Sequence, residues 1–257
     1  MHTEVIKCEV QDHIALVTMD RPPVNAISPQ FQDEMMLVFD TISDLADVRV
    51  AILTGAGRHF CAGADIKARS SGERQPGEGW QSSRKARESF HAIVECKVPV
   101  IGAINGAALG AGLAIAASCD ILIASEEARL GLPEINVGLL GGGRHAMRLF
   151  GHSKARRMMF TGLRLSGAEL YELGVVEACV PAAQLMPMAR SLAAEIAAKS
   201  PIAMRLAKHA MNAIEFMSLR DGYRFEQNMT AELSQYEDSK EAMRAFVEKR
   251  EPVFKGR

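Results

Sequence analysis

The period of the apolar residues changes along this chain, and the changes mark out its elements. His13 to Asp20 (HIALVTMD) is a short β-rich run closed by the turn Arg21-Pro22-Pro23. Ser28 then stands where an N-cap belongs and Pro29 suits the first helical position. Phe31, Met35, Val38, Ile42 and Leu45 follow at steps of four and three, a stripe that faces a core from one side of a helix. Val48 to Thr54 and Val98 to Ile104 are mainly apolar runs of strand length, and Asp120 to Ala124 is another. Strands separated by helices need crossover connections, which predicts an α/β architecture.

Two stretches interrupt this pattern. Ser70 to Arg87 is polar, holds three glycines and the single tryptophan, and reads as a mobile loop of a length that usually either covers a site or is disordered, between which the sequence does not choose. Val98 to Ala124 is long enough to span a bilayer, yet its ends are β-branched and its middle is glycine and alanine. Asp120 would cost about 3 kcal/mol near a bilayer centre, so strand, turn, buried helix, strand is the better reading. From Ser166 the pattern turns helical, with a capping box at Ser166 to Glu169 and a stop at Gly174. Amphipathic segments follow at Ala182 to Lys199, Ile202 to Ala213, Leu219 to Tyr236 and Lys240 to Arg250. Met211, Met217, Phe225, Met229 and Phe246 in this tail suit contacts between subunits more than catalysis.

Composition narrows the classes. The 257 residues are 48% hydrophobic, with 30 basic against 31 acidic side chains and a formal net charge of -1. That length allows one large domain or a domain with an appendage, and the charge balance offers no field for a polyanion. No nucleic-acid or membrane partner is expected. Five scattered cysteines without C-x-x-C spacing suggest no metal site and a reducing, cytoplasmic setting. The first residues carry Glu4 and Glu9 and lack the apolar core of a signal peptide.

The chemistry lies in two glycine-alanine segments, each following a strand: Phe60-Cys61-Ala62-Gly63-Ala64-Asp65-Ile66-Lys67 and Gly106-Ala107-Ala108-Leu109-Gly110-Ala111-Gly112. Neither fits a nucleotide-binding fingerprint. Alone, each is equally well explained by close packing of strand on helix. Together, two such turns at neighbouring strand ends can aim backbone N–H groups at a developing oxyanion. With Cys119-Asp120-Ile121, Leu132-Pro133-Glu134-Ile135, the Arg21 to Ala26 turn and the closing Phe246 to Arg250, these segments resemble the enoyl-CoA hydratase/isomerase (crotonase) superfamily over essentially the whole chain.

The resemblance implies a crotonase-like spiral of ββα units over residues 1–200, with the acyl-CoA site, and a helical oligomerisation region over 201–257 that makes a homotrimer or homohexamer. It implies no cofactor beyond the coenzyme A of the substrate. The oxyanion hole would be the N–H groups of Ala64 and Ala111, the latter standing where the family usually has glycine. Coenzyme A would lie near Ala26, Ala62, Asp65, Ile66 and Lys67, with Lys249 added from another subunit.

Hydratases that this sequence resembles use two glutamates. Their places fall on Ala114 and, twenty residues on, Glu134. Ala114 cannot ionise, so one carboxylate remains, as in the Δ3,Δ2-enoyl-CoA isomerases of the family. The expectation is therefore double-bond isomerisation with Glu134 as sole acid/base, its pKa raised by apolar neighbours. Glu134 paired with Arg129 or Arg144 is the structural alternative. Hydration with Ala114 compensated by another group is the first alternative within the enzyme class, with racemisation, hydrolysis and decarboxylation also open, and a non-catalytic acyl-CoA-binding or RNA-binding paralogue is the alternative outside it. Further on, Gly141-Gly142-Gly143-Arg144-His145 departs from the family's run of small residues. Arg144 and His145 are expected at a surface or subunit contact, with the cavity as the sharper alternative. Cys61 is expected to be a small buried hydrophobe and His59 a turn residue.

Overall fold

The structure is a computed structural model and describes residues 3–65 and 76–257. Two sheets form it. The larger has the order β1 (Ile6–Gln11), β2 (Ile14–Met19), β3 (Val50–Gly55), β5 (Val100–Ile104), β7 (Ile121–Ser125), β10 (Ala178–Val180). The smaller contains β4 (His59–Cys61), β6 (Ala107–Leu109), β8 (Arg129–Gly131) and β9 (Arg164–Ser166). All pairings are parallel except β1 with β2 and β8 with β9. β3 and β5 are buried along nearly their whole length, as unbroken apolar strands covered on both faces must be.

Each central strand turns a corner into the smaller sheet, which makes the repeating unit of the spiral: β3 into β4, β5 into β6, β7 into β8. Small residues make the corners possible. A Cβ on Gly55 would stand 2.8 Å from the Cα of Phe60, and one on Gly106 would stand 2.9 Å from the carbonyl carbon of Arg58. Asn105 ties two corners together, accepting from the Gly55 N–H (3.2 Å) and donating to the Gly57 carbonyl (3.0 Å).

The helices are α1 (Pro29–Asp44), α2 (Glu78–Val94), α3 (Ala111–Ser118), α4 (Gly143–Leu149), α5 (His152–Thr161), α6 (Gly167–Glu172), α7 (Ala182–Ala197), α8 (Pro201–Ile214), α9 (Leu219–Leu233) and α10 (Glu237–Glu248). The main core fills the space among β1–β3, the smaller sheet and α1 to α6, and a second cluster lies between the outer face of the large sheet and α7. The Ser28 hydroxyl accepts from the Phe31 N–H, and the Ser166 capping box is complete.

Three expectations need correction. The part of the expected loop that is described, from Glu78 on, is helix; α2 opens on Gly77 and buries only Ser89, Phe90 and Ile93 near its end, so its polar first turns carry no helical stripe. His59 belongs to β4 and to no turn. The edge strand β1 and the three-residue strands of the smaller sheet are additional to the strands expected.

In the tail, Lys208 of α8 is the firmest tie to the core. Its ammonium is nearly buried, 2.8 Å from Asp120 and within 3.2 Å of the carbonyls of Ile93 and Val98. Met211, Phe216, Leu219 and Phe246 stand in solvent, from 66% to 91% exposed. Phe225 is half-buried and tilts against His209. No helix among the described residues is long and apolar enough to cross a membrane.

Candidate active site

The two glycine-alanine segments meet. After β4 the chain makes a parallel bridge with Ile27: the Ile27 N–H donates to the Gly63 carbonyl (2.9 Å) and the Asp65 N–H to the Ile27 carbonyl (3.3 Å). The N–H of Ala64, between them, is left outside this pairing because alternate groups of an extended chain point to opposite sides. Ala111 is the first residue of α3, where N–H groups have no acceptor within the helix. Gly63 (φ +98°) holds the turns together, since a Cβ there would stand 2.7 Å from the Leu109 carbonyl oxygen and 3.6 Å from the Ala111 nitrogen.

Gly110 meets the carboxylate of Glu134 itself. Its φ of +58° disfavours any side chain, and a Cβ there would lie 2.7 Å from the carboxyl carbon of Glu134. The carboxylate is thus seated directly against the turn that presents the Ala111 N–H. Glu134 is delivered by a 3₁₀ helix, Pro133–Val137, with Pro133 preset for its first position and Gly138 closing it in a left-handed conformation. Oε2 of Glu134 is shut off from water and has no hydrogen-bond partner among the described residues. Burial raises its carboxyl above the ordinary carboxylate range, with a bond to its own backbone opposing.

The ion-pair alternative for Glu134 does not hold. Arg129 donates to the carbonyls of Glu126 and Ala128, at 3.1 and 2.6 Å, and Arg144 lies over the Phe216 ring at 4.8 Å.

A cavity of about 430 Å³ opens on this point. Ala62, Gly63, Ala64, Gly110, Ala111 and Glu134 form one wall, and Ala114 lines it as well, contributing a methyl group where a second acid would be needed for two-carboxylate chemistry. The remaining wall is mainly apolar: Ala86 and Phe90 from α2, Leu109, Val137, Leu139 and Leu140. Its other polar side chains are Asn136, His145 and Arg164. The expectation that His145 stands outside the cavity is overturned, because the Gly142 turn carries the first turn of α4 over the site. Arg144, on the other side of the same turn, is outside it.

The positions expected near coenzyme A are partly gathered. Ala62 lines the cavity. Arg21 joins Ala26 and Asp65, donating to the Ala26 carbonyl (2.8 Å) and to the Asp65 carboxylate (3.1 Å). Asn25, beside Ala26, is buried and donates to the carbonyls of Ala56, His59 and Phe60, so its side chain braces the corner. Ile66 and Lys67 lie outside the described residues. Lys249 caps α10 with a φ of +54° and does not line the cavity. Cys61 is fully buried and its thiol is pushed up to about 12 by that burial, which suits packing and not nucleophilic attack.

Asn136, Arg164, Phe90 and Leu139-Leu140 were not expected here. Asn136 and Leu139 had a local signal in their nearness to Glu134, whereas Arg164 and Phe90 arrive from elements with no sequence link to it.

Residues 9–257 match the family model described as enoyl-CoA hydratase/isomerase. The short-chain-enoyl-CoA hydratase of Clostridium acetobutylicum is 36% identical over 247 residues, 94% of each chain. A (7aS)-7a-methyl-1,5-dioxo-2,3,5,6,7,7a-hexahydro-1H-indene-carboxyl-CoA hydrolase of Mycobacterium tuberculosis is 38% identical over 240 residues, 92% of this chain and 95% of its own. Among solved structures, an enoyl-CoA hydratase from Bacillus anthracis superposes with a TM-score of 0.93 at 34% identity, covering 99% of this chain and all of that one.

Proposed function

The chain belongs to the enoyl-CoA hydratase/isomerase family, and from that premise we propose that it isomerises the double bond of an enoyl-CoA with Glu134 as the only acid/base. The carrying observation is a single carboxylate, one oxygen of it unpaired, seated against the Gly110 turn in a cavity that Ala64, Ala111 and Ala114 also line. Glu134 takes a proton from C2 of a 3-enoyl thioester. The electron pair moves into the C1–C2 bond, and negative charge gathers on the thioester oxygen. The N–H groups of Ala64 and Ala111 bind that oxygen, a type of stabilisation whose loss costs about 10²–10³ in rate for one donor. Protonated Glu134 then returns its proton at C4, which leaves the double bond between C2 and C3. Adding water requires a second group to hold and deprotonate it, and Ala114 supplies none.

A raised pKa serves this cycle, since the same carboxyl must accept and release the proton near the working pH. The test is conversion of 3-hexenoyl-CoA to the conjugated 2-isomer, followed by absorbance, beside hydration of crotonyl-CoA. Fast isomerisation with hydration slower by about 10³ or more supports the reading; fast hydration overturns it.

Hydration is the second reading, favoured by the C. acetobutylicum relative's name and by His145 as a polar side chain on the cavity wall. The exposed apolar residues of the last helices support assembly into a homotrimer or homohexamer, which would also bring a neighbour's Lys249 within reach of coenzyme A. Cytoplasmic residence fits free cysteines and an acyl-CoA substrate.

A further inference from the structure

We propose that His145 determines specificity by hydrogen bonding an uncharged oxygen, an oxo or hydroxyl group, on the acyl chain, so that the preferred substrate is an oxygenated acyl-CoA. The inference rests on the acyl-CoA reading above, and the experiment below separates its failure from that reading's.

The turn that carries His145 is locked to the reacting end of the cavity. Gly142 (φ +71°) packs tightly on Leu132, where a Cβ would stand 2.7 Å from Cδ2 and, in ordinary contact range, 3.5 Å from the Gly110 carbonyl oxygen, while a Cβ on Gly141 would stand 3.8 Å from Oε1 of Glu134. His145, three residues beyond Gly142 on the first turn of α4, is half-buried and lines the same cavity as Glu134. Phe90 fixes its ring edge to face, with centroids 5.2 Å apart and planes at 75°. Among the described residues no protein group hydrogen bonds either ring nitrogen, so their bonding capacity is open to what fills the cavity.

An all-carbon chain in this space would strip water from the imidazole and return no hydrogen bond, and leaving a buried polar group unmatched is unfavourable. A neutral imidazole offers one donor and one acceptor, the complement of a carbonyl or a hydroxyl. Burial, followed by the charges of Arg148, His91 and Arg144, lowers the His145 pKa and keeps the ring neutral. The charged groups that share its cavity are Glu134 and Arg164. A neutral ring selects a neutral oxygen over a carboxylate. The apolar wall of Ala86, Val137, Leu139 and Leu140 accommodates the hydrocarbon remainder.

The test compares 3-octenoyl-CoA with its 6-, 7- and 8-hydroxy and 7-oxo derivatives in wild type, His145→Leu and His145→Gln, with thermal melts to establish folding. The wild type should prefer the best oxygenated substrate over the parent by about ten- to a hundredfold in kcat/KM, the range of a matched against an unmatched hydrogen bond. His145→Leu should reverse the order by raising the parent and lowering the oxygenated substrate, and His145→Gln should keep part of the preference. No preference in wild type, or one that survives His145→Leu, overturns the proposal. Dissociation constants of the saturated analogues provide the same comparison without turnover: if the preference appears in binding while no substrate is isomerised, the isomerase reading fails and the role of His145 stands.

Discussion

Gly110→Ala separates activity from stability and can be worked out from the geometry. The new Cβ would stand 2.7 Å from the Glu134 carboxyl carbon, and ordinary contact begins at 3.4 Å, so the carboxyl must move by 0.7 Å or more. Glu134 can yield because the obstruction is the end of a flexible side chain. What cannot yield is the backbone: φ +58° with ψ −116° is a region that residues with a Cβ rarely adopt, and holding alanine there costs about 1–3 kcal/mol. A shift near 1 Å at a reacting group costs about 10² in rate. The variant should therefore fold, lose about 1–3 kcal/mol in denaturant unfolding, and lose about 10² in kcat with KM little changed. Gly112→Ala is the contrast. Its Cβ would stand 2.9 Å from the backbone carbonyl carbon of Cys61 inside β4, which cannot swing aside, so stability should fall by about 3 kcal/mol or more. Gly110→Ala with unchanged kcat refutes the seating of Glu134 against the turn. So does a further rate loss when it is added to Glu134→Gln, where no carboxylate remains to be displaced.

Other consequences are as direct. Glu134→Gln should stabilise the protein while abolishing activity: the raised carboxyl pKa means that Glu134 favours the folded state below its unfolded pKa and loses that contribution as pH rises through the folded value. Melts should thus show a gain at pH 7 that fades as pH falls into the ordinary carboxylate range. In the wild type, kcat/KM should rise with pH through the raised Glu134 value, and that rise should sit above the ordinary carboxylate range. Lys208→Ala should cost about 1–3 kcal/mol, because it removes the donor of the Ile93 and Val98 carbonyls, while Asp120, part-exposed, keeps the Val100 N–H; Lys208→Met should recover part of the loss through packing of its stem in the same unfolding assay. Ala114→Glu should confer measurable hydration of crotonyl-CoA, and a folded variant with no gain would contradict the role given to Ala114.

The parts of this molecule written in local chemistry were legible before the fold. Ser28 with Pro29 and Ser166 with Glu169 start helices through contacts within four residues, and the buried runs of β3, β5 and β7 stand out by length and apolarity. The strands of the smaller sheet did not, since three residues between glycines have no period; their identity comes from pairing with each other. β1 is an edge strand with a mostly exposed polar face, and α2 buries a stripe only at its end. The places of Glu134, Ala64, Ala111 and Ala114 came from a family resemblance carried by two turns and a fixed spacing, and the fold lines one cavity with all four. His145 was misjudged for a physical reason: three glycines before it leave the direction of the chain undetermined, and tertiary packing, with Gly142 tight against Leu132, sets the first turn of α4 beside the cavity. Arg164 and Phe90 reach the site through tertiary packing alone.

The central claim is that one carboxylate carries the proton in both directions. Its most direct test is NMR of 3-hexenoyl-CoA in deuterated water with wild type and Glu134→Gln at equal, folded concentration. The wild type should form the 2-enoyl product with exchange at C2 and deuterium arriving at C4, and the variant should slow both by about 10² or more, at the scale of a lost general acid/base. Isomerisation or C2 exchange that continues at the wild-type rate in Glu134→Gln would contradict the account.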